Sequence, residues 1–259
     1  MENKSKTTLS IIGFGNFGKL AAKHLILAGA SVGVNDVSDK TNEAEEIGAR
    51  FISLDEACRS KIIILAVPME ALEETLHKIK DKLQPGTLVL DVCSLKMFAC
   101  DAMNKILPSS VEIIGTHPLF GPQSAPNSIK GMRIALVDVR SKQETFNEVK
   151  EFCEKLGLKT IITTPEEHDR QMAHSQALTH FIGQALKNND TERVEMSTLT
   201  FDKLMDIVNV IKNDTPQLFN NMQQMNPFAK EARDNFVKEA EKINAELSIK
   251  QNESRTEKT

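Results

Sequence analysis

Gly13-Phe14-Gly15-Asn16-Phe17-Gly18 follows directly on a short apolar run, residues 8–12, and leads into residues 19–28, whose apolar side chains recur at helical spacing. In a G-x-G-x-x-G loop between a strand and a helix the glycines have separate jobs. Gly13 makes the tight turn, Gly15 lets a pyrophosphate approach the backbone, and Gly18 lets helix and strand pack closely. The start of the helix then faces the pyrophosphate with unused N–H donors and a partial positive charge. Phe14, Asn16 and Phe17 complete the loop. A second strand-like run, residues 31–35, ends at Asp36. A carboxylate there accepts hydrogen bonds from the adenosine ribose hydroxyls and repels a 2′-phosphate. The following Val37-Ser38-Asp39 offers no arginine, so the pattern points to NAD rather than NADP. The plainer alternatives are a structural glycine turn and an acid that caps a strand.

Alternation of strand and helix continues outward from this loop. Residues 43–48 read as a short helix and 49–52 as a short strand. Residues 61–67 are almost wholly apolar, as a parallel strand covered on both faces should be. Pro68 stops that strand and places Ala66, Val67 and Pro68 at the expected cofactor edge. A helix over 69–83, a strand over 87–92, a helix running to residue 107 and strands over 111–115, 131–139 and 159–163 follow, with a helix over 142–156. Repeated units of this length imply an α/β fold, a doubly wound, mainly parallel Rossmann-type sheet, with ligands beyond the carboxyl ends of its strands. From Pro165 onward the pattern is all-helical, over 166–186, 197–212, 216–225 and 227–249. The expected organisation is a dinucleotide-binding domain (1–164), a helical substrate and dimerisation domain (165–249) and a polar, disordered tail (250–259). Asp169, Met172, Gln176, His180 and Gly183 fall on one face of the first long helix by their spacing.

Composition narrows the class. Of the 259 residues, 40% are apolar and 26% charged, which suits a globular chain, and no apolar run is long enough to span a membrane. The first eight residues lack the apolar core of a signal peptide, so a cytoplasmic location is expected. A net charge of −4 argues against nucleic acid as a partner. Cys58, Cys93, Cys100 and Cys153 show no metal-ligand spacing and are expected as reduced thiols, with no metal bound.

A second stretch, Gly115-Thr116-His117-Pro118-Leu119-Phe120-Gly121-Pro122, sets one histidine at the end of a strand, in a loop stiffened by two prolines. A fixed histidine whose ordinary pKa lies near neutrality suits a general base; an ordinary histidine in a tight loop is the alternative. Ser94, in Asp91-Val92-Cys93-Ser94-Leu95-Lys96, lies at the same edge, where it can contact substrate, cap a helix, or both.

Together these motifs resemble the prephenate and arogenate dehydrogenases of tyrosine biosynthesis, the plant-type arogenate enzymes most closely. The glycine loop is similar to their cofactor loop, Asp91 to Lys96 to their D-x-x-S-x-K segment, and Gly115 to Pro122 to their G-x-H-P-M-x-G-P, with Leu119 for methionine. Glu167-His168-Asp169 to Thr179-His180 resembles the helix that reaches the site. The resemblance implies oxidative decarboxylation of a cyclohexadienol with hydride transfer to NAD, with His117 and Ser94 catalytic. It also implies that Ser94, His117, Gln176 and His180 bind substrate; a packing role is the alternative for His180. Lys96 either offsets substrate carboxylate charge or is a solvated helix lysine. Asn209 stands where many bacterial members carry an arginine, with Lys212 nearby. Asp214 is either a partner for the arogenate ammonium, which favours arogenate over prephenate, or a cap for the helix near Pro216. A homodimer is expected, with no chorismate mutase segment before the sheet and no regulatory domain after the helices. Competing readings are a β-hydroxyacid dehydrogenase, for which residues 166–186 lack the lysine, an imine reductase, or a non-enzymatic NAD-binding regulator.

Overall fold

Strand-length apolar runs dictate the first layer. In the computed structural model, which describes residues 9–125, 127–212 and 215–256 with side chains through residue 249, these runs form β1 (Leu9–Ile12), β2 (Val32–Asn35), β3 (Arg50–Phe51), β4 (Ile62–Leu65), β5 (Leu88–Asp91), β6 (Glu112–Pro118), β7 (Arg133–Arg140) and β8 (Lys159–Ile162). They make one eight-stranded sheet in the order β3-β2-β1-β4-β5-β6-β7-β8. Helices α1 (Asn16–Leu27), α2 (Thr41–Glu46), α3 (Leu54–Ala57), α4 (Met69–Ile79), α5 (Lys96–Ile106) and α6 (Gln143–Lys155) connect the strands. One core cluster joins Leu72, Leu76 and Met103 of α4 and α5 to Ile63, Val89 and Ile113 of the sheet. A second joins Ala22 and Leu25 of α1 to Ile11 and Val34. Strand order reverses on either side of β1, and that reversal opens the crevice in which such sheets bind ligands.

Every strand pair is parallel except β6 with β7. The antiparallel partner lengthens β6. Pairing to β5 ends at Leu90 with Ile114, whereas pairing to β7 runs on through His117 with Ala135 and Pro118 with Ile134. His117 therefore lies within a strand, not in the loop expected after residue 115. Gly115 and Pro118 conceal this in the sequence because both disfavour strand, and β7 supplies the ladder that overrides them.

The chain divides into Met1–His168 and Asp169–Thr259, so the division falls inside α7 (Pro165–Met172) rather than at its start. Thr164-Pro165-Glu166-Glu167 has the capping grammar of a helix start: the Thr164 hydroxyl accepts the Glu167 N–H at 3.2 Å, and proline occupies the first turn. The single helix expected over 166–186 is interrupted. A π-helical turn, Ala173–Ala177, separates α7 from α8 (Leu178–Asn188). Its wider turn shifts the register, so Asp169 and Gly183 are buried while Gln176 and His180 are half-buried. Gln223 donates to the Ala177 carbonyl at 2.7 Å and satisfies one group of this irregular turn. Helices α9 (Leu199–Ile211), α10 (Pro216–Gln224) and α11 (Ala229–Thr256) complete the second unit, and α11 runs through much of the stretch expected as a tail. Thr215 caps α10 by accepting the Leu218 N–H, the role considered above for Asp214. Asp214 itself lies outside the described residues. Among those residues no helix is long and apolar enough to cross a membrane.

Candidate active site

The glycine loop is built as its spacing requires. A Cβ on Gly13, whose φ is +99°, would sit 2.4 Å from the Ala66 carbonyl oxygen, and one on Gly18 only 2.1 Å from that of Gly13. Both glycines are consumed by close backbone approach. A Cβ on Gly15 would meet nothing within 4 Å. The place where a pyrophosphate must come close is thus open, at the start of α1, and the loop fits a dinucleotide. Phe14 is buried, Gly15 and Asn16 are exposed, and Phe17 meets Phe120 in a tilted ring contact, 6.3 Å between centroids and 49° between planes, which ties the loop to the segment after β6. Ala66 and Val67 are half-buried at the end of β4 and Pro68 is exposed.

Asp36 is held by its own loop. Its Oδ2 accepts the Phe14 N–H at 2.7 Å, and its Oδ1 accepts the Ser38 N–H at 3.1 Å and the Ser38 hydroxyl at 2.9 Å. Partial burial pushes this carboxyl up, but these hydrogen bonds and the nearby Lys40 ammonium outweigh it and leave Asp36 below the usual carboxylate range. It is an anion that shapes the glycine loop and keeps part of its surface open.

At the end of β5, side chains replace a strand. Once β6 outruns its β5 partner, the Thr116 N–H and carbonyl need new bonds. Asp91 Oδ1 accepts the Thr116 N–H at 3.2 Å, and Lys96 Nζ donates to the Thr116 carbonyl at 2.6 Å. Lys96 also pairs with Asp91 Oδ2, and both side chains are 0% exposed. Asp91 further accepts the Cys93 N–H at 2.9 Å, and its carbonyl accepts the Thr116 hydroxyl. Gly115 makes room for this, since a Cβ there would lie 2.6 Å from Cys100 Sγ and 3.6 Å from Lys96 Cδ. Burial lowers the Lys96 pKa, yet the Asp91 carboxylate and then the Cys93 and Cys100 sulfurs more than offset this, so it stays a cation. Lys96 is therefore neither solvated nor free to meet a substrate carboxylate. Leu95, not Ser94, stands at the N-cap of α5, and Ser94 is half-buried.

The next residue along β6 is His117, 5% exposed. Its Nδ1 lies 2.9 Å from Nε2 of His168, itself 3% exposed. The two rings meet edge to face at 5.0 Å. Burial first, then the His168 ring and the Lys96 ammonium, hold His117 well below the ordinary imidazole value of 6.5. A neutral, buried imidazole with one nitrogen committed is fit to accept a proton at the other. The sequence reading missed His168 as a site residue and Asp91 as the partner of Lys96. The capping pattern that starts α7 and the acid at the end of β5 were the available signals.

Gln176 and His180 belong to the second unit. There His180 lines a hollow of about 310 Å³ with Gln184, Lys187, Phe219 and Asn220.

Strand order, an open Gly15 and an acid after β2 define a Rossmann-class dinucleotide-binding protein, with a histidine site on β6 of the same sheet. Residues 22–162 match the family described as prephenate dehydrogenase, nucleotide-binding domain, and residues 185–259 match one described as TYRAAT1-like, C-terminal domain. The chain is 30% identical to a probable arogenate/prephenate dehydrogenase of Methanocaldococcus jannaschii, over 98% of this chain and 59% of that protein. It is 30% identical to arogenate dehydrogenase 2, chloroplastic, of Arabidopsis thaliana, over 94% of this chain and 70% of that one. Among solved structures, prephenate dehydrogenase from A. aeolicus, in complex with hydroxyphenyl propionate and NAD+, shares the fold with a TM-score of 0.76 and 21% identity, over 97% of this chain and 94% of that one. The chain belongs to the prephenate dehydrogenase family. It spans 59% of the length of the M. jannaschii relative.

Gly18→Ala forces a methyl against backbone and should lower stability by about 1–3 kcal/mol in denaturant unfolding. Gly15→Ala should stay within about 0.5 kcal/mol of the parent but lose dinucleotide binding; equal binding by both proteins would show that the pyrophosphate does not pass Gly15. In an NMR titration of the histidine rings, His117 should be neutral at pH 6.5 and protonate only well below it. His168→Asn should raise its midpoint, while burial and Lys96 still hold it down. Because the folded value is the lower one, the unfolded chain alone binds this proton in the window between the two values, and stability falls as pH drops through it. A wild-type midpoint at or above 6.5 would overturn the assignment.

Proposed function

We propose that the chain catalyses the NAD-dependent oxidative decarboxylation of arogenate or prephenate, in tyrosine biosynthesis. The observation that carries this reading is His117: buried, held neutral, and fixed at the carboxyl end of a strand in the same sheet as the glycine loop. The names of the M. jannaschii and Arabidopsis relatives and the ligands in the A. aeolicus structure support it.

Residue roles follow from chemistry. The substrate is a cyclohexadienol with a hydroxyl and a hydrogen on one ring carbon and a carboxylate on the opposite carbon. With His117 Nδ1 donating to His168 Nε2, the Nε2 lone pair of His117 takes the hydroxyl proton as the carbon loses its hydride. The nicotinamide supplies the hydride acceptor. Loss of CO₂ leaves its bonding electron pair in the ring, the ring becomes aromatic, and His117 returns a proton to the phenolate oxygen. Ser94, at the same edge, hydrogen-bonds the reacting hydroxyl. Gln176 and His180 are the second unit's substrate-binding groups. Gly13 to Gly18, Asp36 and Ala66 to Pro68 hold the dinucleotide, and the anionic Asp36 favours NAD over NADP. Arogenate is the favoured substrate, because Asp214 offers a carboxylate to an ammonium that prephenate lacks.

The enzyme acts as a homodimer in a cytoplasmic setting. Support comes from an apolar stripe along α11, where Phe236, Ile243 and Leu247 share a face and stay exposed. Light scattering at micromolar concentration should report twice the chain mass of 28.8 kDa; a monomer would remove the dimer from the proposal.

Reduced cofactor should form when the protein is given NAD and arogenate, more slowly with prephenate. His117→Asn should lower turnover by about 10²–10⁴-fold while NAD binding is unchanged. No turnover with either substrate would overturn the assignment, and unchanged turnover in the variant would remove His117 from the chemistry.

A further inference from the structure

Cofactor choice in this chain has a second layer beyond Asp36. Glu43, in the first turn of α2, holds two lysines at once. Its Oε1 takes the Lys40 ammonium at 2.9 Å, and its Oε2 takes that of Lys19. Lys40 sits at the N-cap of α2, in the loop that follows Asp36, and is close enough to Asp36 to help lower its pKa. Lys19 lies in the first turn of α1, an end whose partial positive charge opposes a cation and where no acidic residue answers it. The carboxylate that answers it comes instead from α2, 24 residues along the chain. Glu43 thus draws the Lys19 ammonium of α1 toward the Lys40 ammonium beside Asp36, and two carboxylates, Asp36 and Glu43, balance the two cations. The side chains of Lys19, Glu43 and Lys40 keep 38%, 39% and 30% of their surface open, so a solute phosphate can reach them.

We propose that Glu43 is a cofactor-specificity residue: by occupying Lys19 and Lys40 it denies a 2′-phosphate the cations that would otherwise bind it. Asp36 repels that phosphate directly, and Glu43 removes its counter-charge. NAD has an uncharged hydroxyl where NADP has the 2′-phosphate, so this loss of counter-charge falls on NADP alone. The device is cheap to hold, since exposed ion pairs contribute little to stability, and its effect lies in where the ammonium groups are kept. The inference rests on the NAD reading of the glycine loop.

The test is calorimetric titration of NAD+ and NADP+ into the parent protein, Glu43→Gln and Glu43→Ala, at low and high salt. NADP+ should bind the variants about 5- to 30-fold more tightly than it binds the parent, the range for one or two partly exposed phosphate contacts. The gain should shrink as salt rises, and NAD+ affinity should stay within about two-fold. Asp36→Ser combined with Glu43→Gln should extend the gain. NADP+ affinity unchanged in both single variants, with NAD+ still bound, would overturn the role of Glu43. Equal tightening toward both dinucleotides would overturn it as well, because Lys19 would then be serving the shared pyrophosphate. A parent protein that binds neither dinucleotide would instead bring down the cofactor reading itself.

Discussion

The pairing of Lys96 with Asp91, with both side chains out of water, is the constraint on which the site rests. A buried ion pair adds little net stability, because desolvation cancels most of its attraction, but losing one partner strands the other and costs roughly 3–5 kcal/mol. Its value here is positional. Between them the two groups grip the Thr116 peptide, one on the N–H and one on the carbonyl, where β6 has outrun its β5 partner. A strand end that would otherwise fray is held by groups on β5 and α5, and the residue that follows is His117. The same ammonium helps to keep that imidazole neutral. The pair thus serves position and protonation state together, and Gly115 is the space into which it fits.

Charge is arranged by the same logic at the dinucleotide end, but in contact with water. Asp36 accepts backbone N–H groups of Phe14 and Ser38 and so links the shape of the glycine turn to the acid that ends β2. Glu43 draws together two lysines from different helices. Around His117 burial makes each polar group obligatory, whereas around Glu43 exposure makes each one adjustable. The cysteine thiols are packing groups rather than reactive ones in this molecule. Burial pushes Cys93 upward and lifts Cys58 and Cys153 to about 11, so these thiols stay protonated and inert.

Much of this was legible in residue order, and the parts that were not share a cause. Alternation of apolar runs and helical periodicity placed the strands and helices because both are local patterns. Glycine spacing placed the cofactor loop because the tight turn and the open approach are properties of six adjacent residues. Gly115-Thr116-His117-Pro118 singled out the histidine, but not that it sits in a strand, since the evidence for that is β7 beside it. The single helix expected over 166–186 hid its π-helical turn, whose carbonyl is met by Gln223, 46 residues away.

The doubly wound sheet, the glycine loop, the acid after β2 and the histidine in its Gly-Thr-His-Pro setting are all encoded in short windows of residues. The burial of Lys96 against Asp91, the meeting of His168 with His117 from 51 residues away, the antiparallel run of β7 on β6 and the joining of Lys19 to Lys40 by Glu43 arise only when distant segments pack together. The reason is physical. A backbone preference belongs to neighbours along the chain, whereas the charge state and partner of a side chain belong to whatever folding brings against it.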